Sequence, residues 1–284
     1  MTASITYPTD RTAPAAPERG TWVEPALVGA LFVITALAAA GYAVFALHPE
    51  RLAGVPSAAA VYGHALRVFP PAHIAAGVVV LGIILARRAG TAWIPAAGAL
   101  YLISLASELL GTTVGLPFGP YSYGDGLGIK WFAHVPVLVP ASWFMMALPS
   151  FALATRWVTA RPLWRLVAAT GLLVSWDLAL DPAMSHLMPY WVWGSDGPYY
   201  GMPLLNLVGW YVTGFALMAA LALLKVDRWL DRVPTTPLVG VYVANLALPV
   251  VMAAAAGLWP ASVLAVVPVA FAARADRART RSVT

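Results

Sequence analysis

LLNLVGWYVTGFALMAALALL, residues 204–224, runs for its whole length without a charged side chain. As a helix it is about 30 Å long, the thickness of a bilayer's hydrocarbon core. Comparable runs recur on both sides of it. With this one they cover residues 25–47, 69–86, 92–110, 134–154, 163–181, 204–224, 238–256 and 258–273. The chain is 61% hydrophobic and 10% charged, with a mean hydropathy of +0.77. Soluble domains carry roughly 25% charged residues, so this much apolar surface requires lipid as its solvent. The expected fold is all-α: a polytopic transmembrane bundle of about eight helices. Pro136, Pro140, Pro149, Pro249 and Pro268 read as helix-internal, which membrane helices tolerate when neighbours satisfy the freed carbonyls.

Charge supports that count. Arg11 and Arg19 precede the first span. Arg87 and Arg88 follow the second, and Arg156, Arg161 and Arg165 join the fourth to the fifth. Lys225, Arg228 and Arg232 follow the sixth, and Arg274, Arg277, Arg279 and Arg281 follow the last. An eight-span alternation puts all of these on one side and leaves only Arg51, Arg67 and Lys130 on the other. The positive-inside rule then makes both termini cytoplasmic and the location a bacterial-type inner membrane, crossed many times. The pI of 9.6 follows from the same loops and calls for no nucleic-acid partner. The domain reading is a disordered tail over 1–22, a transmembrane catalytic domain over 23–274 and a basic tail over 275–284. Residues 1–20 lack the apolar core of a signal peptide, so no cleaved signal is expected. The chain has no cysteine, which excludes disulfides, thiol nucleophiles and thiolate metal sites.

The exceptions to apolarity carry the chemistry. Glu108 ends the third span, and Asp177 and Asp181 end the fifth. An acid placed centrally in a membrane costs roughly 2.5–3.5 kcal/mol, less near a span's end, so capping a helix or anchoring a loop is the plain structural reading. Against it, all three acids leave the bilayer on one side. Asp177 and Asp181 are four apart and share a helix face about 6 Å apart along the axis. Two carboxylates that close in a dry site do not readily both ionise, and a carboxylic acid left protonated is a proton donor. The loops beside them, GTTVGLPFGPYSYGDG (111–126) and PAMSHLMPYWVWGSDGPYYGMP (182–203), both carry Gly-Pro-Tyr and crowd aromatics together. Interfacial belts of Trp and Tyr are common, but five aromatics in one short loop is dense. The repeated order of acid, glycine-rich turn, Gly-Pro-Tyr and helix hints at an internal duplication.

Glu108 with GLPFGPYSY, then PVLVPASWFMM, WDLALDPAM, WVWG and GPYYGMPLLNLVGW resembles the membrane carotenoid hydratase family, the carotenoid 1′,2′-hydratases and bisanhydrobacterioruberin hydratases. The resemblance covers about residues 100–215. It implies water addition to the terminal double bond of an acyclic carotenoid such as lycopene, γ-carotene or a bisanhydrobacterioruberin-like substrate, with no cofactor and no metal.

The residues suit that chemistry. Protonating a trisubstituted alkene leaves a tertiary carbocation for water to capture. A buried carboxylic acid supplies the proton, and faces of Trp and Tyr stabilise the cation by roughly 0.5–2 kcal/mol each. Asp177, one turn deeper than Asp181, is the expected donor; Asp181 or Glu108 then orients water or accepts its proton. Trp143, Trp176, Tyr121, Tyr123, Trp193, Tyr199 and Tyr200 are expected to line the pocket, and Asn206 to hold a water or orient a carboxylate. His134 and His186 read as interface residues with a possible relay role, and His73 as a packing residue. Three other readings stay open. A carotenoid cyclase would use the same cation. A prenyltransferase would use the aspartates to hold Mg²⁺ and a diphosphate, although loop 182–203 has no Lys or Arg. A carotenoid-binding or transport protein would have no reaction, but no string of acids crosses the membrane.

Overall fold

The computed structural model describes residues 22–158 and 161–283. Among the described residues, seven helices are long and apolar enough to cross a membrane. They are α1 (Val23–Gly41), extended by a π-helical turn to Ala46; α3 (Pro56–Ala89); α4 (Ile94–Val114); α5 (Leu138–Trp157); α6 (Pro162–Asp181), extended by another π-helical turn to Leu187; α7 (Leu204–Leu223); and α9 (Thr235–Ala255). α2 (Glu50–Ala53) and α8 (Asp227–Leu230) are single turns in connections. α10 (Trp259–Val283) is the eighth member, and its apolar part, Trp259–Ala270, is shorter than a full span. The all-α polytopic bundle therefore stands. The expected tail over 1–22 lies outside the described residues but for Trp22, and backbone expected to form a basic tail from 275 continues α10.

α5 is the centre. It packs on α3, α4, α6, α7, α9 and α10, and most of its apolar stretch is buried, whereas α1 lies on α9 and α3 at the outside. A helix apolar all round is a buried one, and Phe144, Met146, Leu148, Phe151 and Leu153 point every way along α5 with almost no exposure.

Two boundaries differ from expectation. The second span begins at Pro56, not at 69. Pro70 and Pro71 sit inside α3, and His64 and Arg67 dilute the hydropathy of its first half. Pro136 is not helix-internal: it lies in a two-residue strand, β3 (Val135–Pro136), paired with β2 (Lys130–Trp131). Pro140 is in the first turn of α5, where an N–H has no intrahelical partner to lose.

The two aromatic loops meet. β1 (Tyr121–Tyr123) pairs antiparallel with β4 (Trp191–Trp193), with Tyr121 opposite Trp193 and Tyr123 opposite Trp191. Strand side chains alternate faces, so these four aromatics share the inner face, while Ser122 and Val192 are exposed. Gly124 N–H to Tyr190 O (2.8 Å) and Gly194 N–H to Pro120 O (2.7 Å) extend the ladder. The ribbon covers the end of the bundle where α4 and α6 finish and α5 and α7 begin.

Candidate active site

Beneath the ribbon lies a cavity of about 260 Å³. Its walls come from the ends of α1, α4, α6 and α9 and from the first half of α3 and the starts of α5 and α7. These segments reach one end of the bundle only if the chain reverses at each helix.

Glu108, Asp177 and Asp181 are 4%, 0% and 1% exposed, and no ion pair to any of them is found among the described residues. Glu108 has three donors. Its Oε1 accepts Trp143 Nε1–H at 2.8 Å, and its Oε2 accepts Tyr123 O–H at 2.8 Å and the Tyr121 hydroxyl at closer range. The alternation of β1 delivers both tyrosines to one carboxylate. Burial, then the facing Glu108, holds both phenols well above their ordinary range, so they remain donors. Two glycines let the loop come this close. A Cβ on Gly111 would lie 2.8 Å from the Tyr121 ring, and one on Gly209 would lie 2.7 Å from Pro117 O.

The aspartate pair is under-supplied. Asp181 Oδ1 accepts Trp191 Nε1–H at 2.8 Å. The Asn206 amide donates to Asp181 Oδ2 and, at 3.3 Å, to Asp177 Oδ2. The two carboxyl groups are themselves in hydrogen-bonding reach. Asp177 Oδ1 is buried and makes no hydrogen bond among the described residues.

Glu108, Asp181, Asn206, Tyr121, Tyr123, Trp143, Trp176 and Trp193 all line the cavity. Asp177 does not; it lies behind Asp181. Tyr199 and Tyr200, expected in the lining, are outside it. Tyr199 spends its hydroxyl on Leu178 O (2.7 Å), and its ring meets Tyr200 edge-on, because the bridges at Gly197–Gly201 and Tyr199–Met202 turn that hairpin away. His134 and His186 are exposed, and neither lines the cavity.

The sequence reading passed over several residues that do. Trp210 stacks on Trp143 at 4.0 Å and meets Trp176 edge-on at 5.9 Å, giving the cavity a three-indole wall. It follows Asn206 by one turn, which is the signal that could have found it. Tyr62, Phe69 and His73 of α3 and Asn245 of α9 also line it. Nothing local in their own helices marks them.

Fold and site together define a polytopic membrane protein with an aromatic, carboxyl-bearing cavity at one end of its helix bundle. The chain belongs to the carotenoid biosynthesis protein family, whose profile matches residues 69–272. It is similar to the bisanhydrobacterioruberin hydratase of Haloarcula japonica, with 31% identity over 149 residues that make up 51% of this chain and 47% of that one. The chain thus spans about half the length of the curated relative it matches. No solved structure matches.

Proposed function

We propose that this protein is a carotenoid hydratase, adding water across the terminal double bond of an acyclic carotenoid to give a tertiary alcohol. The observation that carries the reading is a pair of buried carboxyl groups with no ion pair among the described residues, of which Asp181 stands at the wall of a cavity lined by indoles. Asp177 and Asp181 face each other across one amide, and a pair so placed is served by a single shared proton. Asp181, at the cavity wall, presents that proton to the less substituted alkene carbon. Asp177, behind it, shares the proton and returns it. The expected roles are thereby reversed, because depth removed Asp177 from the substrate.

The tertiary cation then forms beside Trp143, Trp176 and Trp210, whose faces stabilise it. Glu108 contributes as a fixed anion. Three donors take up most of its lone-pair sites, so it suits electrostatic stabilisation of the cation and holds Tyr121, Tyr123 and Trp143 in place. The volume suits an end group: about 260 Å³ is near the lower limit of ligand pockets and far short of a whole carotenoid. Leu37, which lines the cavity while 60% exposed, marks α1 as the side where the polyene leaves. The similarity to a bisanhydrobacterioruberin hydratase points the same way.

Expression in lycopene-producing cells tests the reading. Pigments heavier by one water are expected, and turnover should survive EDTA without nicotinamide or flavin. Products of unchanged mass would indicate a cyclase, and Mg²⁺-dependent loss of a diphosphate a prenyltransferase.

A further inference from the structure

The cavity wall also carries two buried polar groups, His73 and Asn245, to which the roles above give no task. We propose that His73 and Asn245, on the α3–α9 wall of the cavity, hold the attacking water, and that His73 Nδ1 takes its proton; this rests on the hydratase reading above.

Both residues are buried, at 5% and 2% exposure, and both line the cavity. The ring orientation follows from Thr35. Its hydroxyl has one proton and two carbonyls to receive it, Leu31 O at 2.9 Å and Ala244 O at 3.3 Å. We assign its contact with His73 Nε2 at 2.9 Å to an Nε2–H donor, which frees the Thr35 proton for Leu31 O. That tautomer leaves Nδ1 bare, and Nδ1 makes no hydrogen bond among the described residues. Asn245 donates its Nδ2–H to Val241 O at 2.8 Å, and its Oδ1 is buried without a partner. An orphan amide oxygen in an apolar bundle is a costly thing to keep empty-handed. A water molecule gives it a donor.

The two groups are neighbours. Thr35 touches His73 and the carbonyl of Ala244, beside Asn245. Gly77, one turn beyond His73 on the same face of α3, abuts Asn245: a Cβ there would lie 3.3 Å from its amide atoms and would strike Met145. Met145 follows Trp143 by two residues, about 3 Å along α5, and Trp143 is bonded to Glu108. The polar pair thus lines the same cavity as Glu108 and Asp181. A water there donates one hydrogen to Asn245 Oδ1 and the other to His73 Nδ1, and its lone pair is free for the cation. The carbon–oxygen bond forms, the oxonium proton passes to Nδ1, and the imidazolium releases it to solvent water while the carboxyl pair regains one. The sum is one water added per double bond.

The test separates protonation from water capture. Membranes carrying the protein at equal abundance are given lycopene in D₂O, and both hydrated product and deuterium washed into unhydrated lycopene are measured by mass. A cation that meets no water loses a proton again, so Asn245→Leu and His73→Gln should keep exchange while the hydration-to-exchange ratio falls by about 10²-fold, the lower end of general-base effects. His73→Gln retains a donor for Thr35, so packing is preserved. Asp181→Asn should lose exchange and hydration together. An unchanged ratio in both variants, or parallel loss of exchange and hydration in both, overturns the water site alone. A wild-type protein with neither hydration nor exchange overturns the hydratase reading and this site with it.

Discussion

The two ends of the bundle treat buried carboxylates in opposite ways. At one end, Glu24 in the first turn of α1 is gripped by Arg88 through two hydrogen bonds of 2.6 and 2.7 Å, with Arg87 at 3.7 Å. At the other, Glu108, Asp177 and Asp181 are as deeply buried, form no ion pair among the described residues, and take hydrogen bonds from indoles, phenols and an amide. The first arrangement neutralises a charge and ties α1 to α3; it leaves nothing to react. The second withholds cations and leaves an oxygen of Asp177 without a hydrogen bond among the described residues, which we propose is the mark of an acid with work to do. Partner chemistry, more than burial, separates a structural carboxylate from a reactive one.

The largest expected effect is at the aspartates. Asp181→Asn and Asp177→Asn keep size and remove the acidic proton, so hydration per molecule of protein should fall by roughly 10²–10⁴-fold with little change in abundance. Near-wild-type conversion in both variants would erase the contrast between the two ends. Next in size is the Glu108 cluster. Tyr121→Phe removes one of three donors and leaves part of a buried carboxylate unsatisfied, at about 1–3 kcal/mol. If that is felt at the cation, conversion of lycopene drops by about 5- to 150-fold; a drop confined to protein abundance would return Glu108 to a loop anchor.

Glu24→Gln sharpens the comparison from the opposite end. It removes the carboxylate that Arg88 grips, so thermal stability in detergent should fall by about 1–3 kcal/mol while conversion per molecule stays at the wild-type level. Loss of conversion equal to that of the aspartate variants would show that the two ends do not differ in kind. The smallest effect concerns orientation. We propose that the acid end faces away from the cytoplasm. Single cysteines at exposed Asp125 and Asp196 should react with an impermeant thiol reagent on intact cells and leave hydration unchanged; reaction only after permeabilisation would reverse the topology.

Much of the site was legible because its residues are chemical anomalies where they stand. Glu108, Asp177 and Asp181 interrupt apolar runs, and Asn206 heads one. Tyr121, Tyr123 and Trp193 crowd short loops that neighbour them. Tyr199 and Tyr200 carry the same local signal and line nothing, because the direction of a hairpin depends on which backbone bridges form. Trp210, His73 and Asn245 gave no such signal: an indole, an imidazole or an amide in an apolar helix reads as packing until its neighbours are known.

Helix count and the polytopic class needed only the sequence, because a bilayer imposes one length and one polarity on every segment that crosses it. The same rule located the three acids at one end, since alternation decides where each span finishes. What the tertiary structure alone decided is who faces whom. β1 pairs with β4 across some seventy residues of chain, putting two tyrosines on Glu108, and α1 and α3 bring Thr35 and His73 to Asn245. Such contacts depend on packing between segments remote in sequence, and no local period encodes them. That is also why depth along α6, read correctly from a spacing of four, could not tell that Asp181 would reach the cavity and Asp177 would stand behind it.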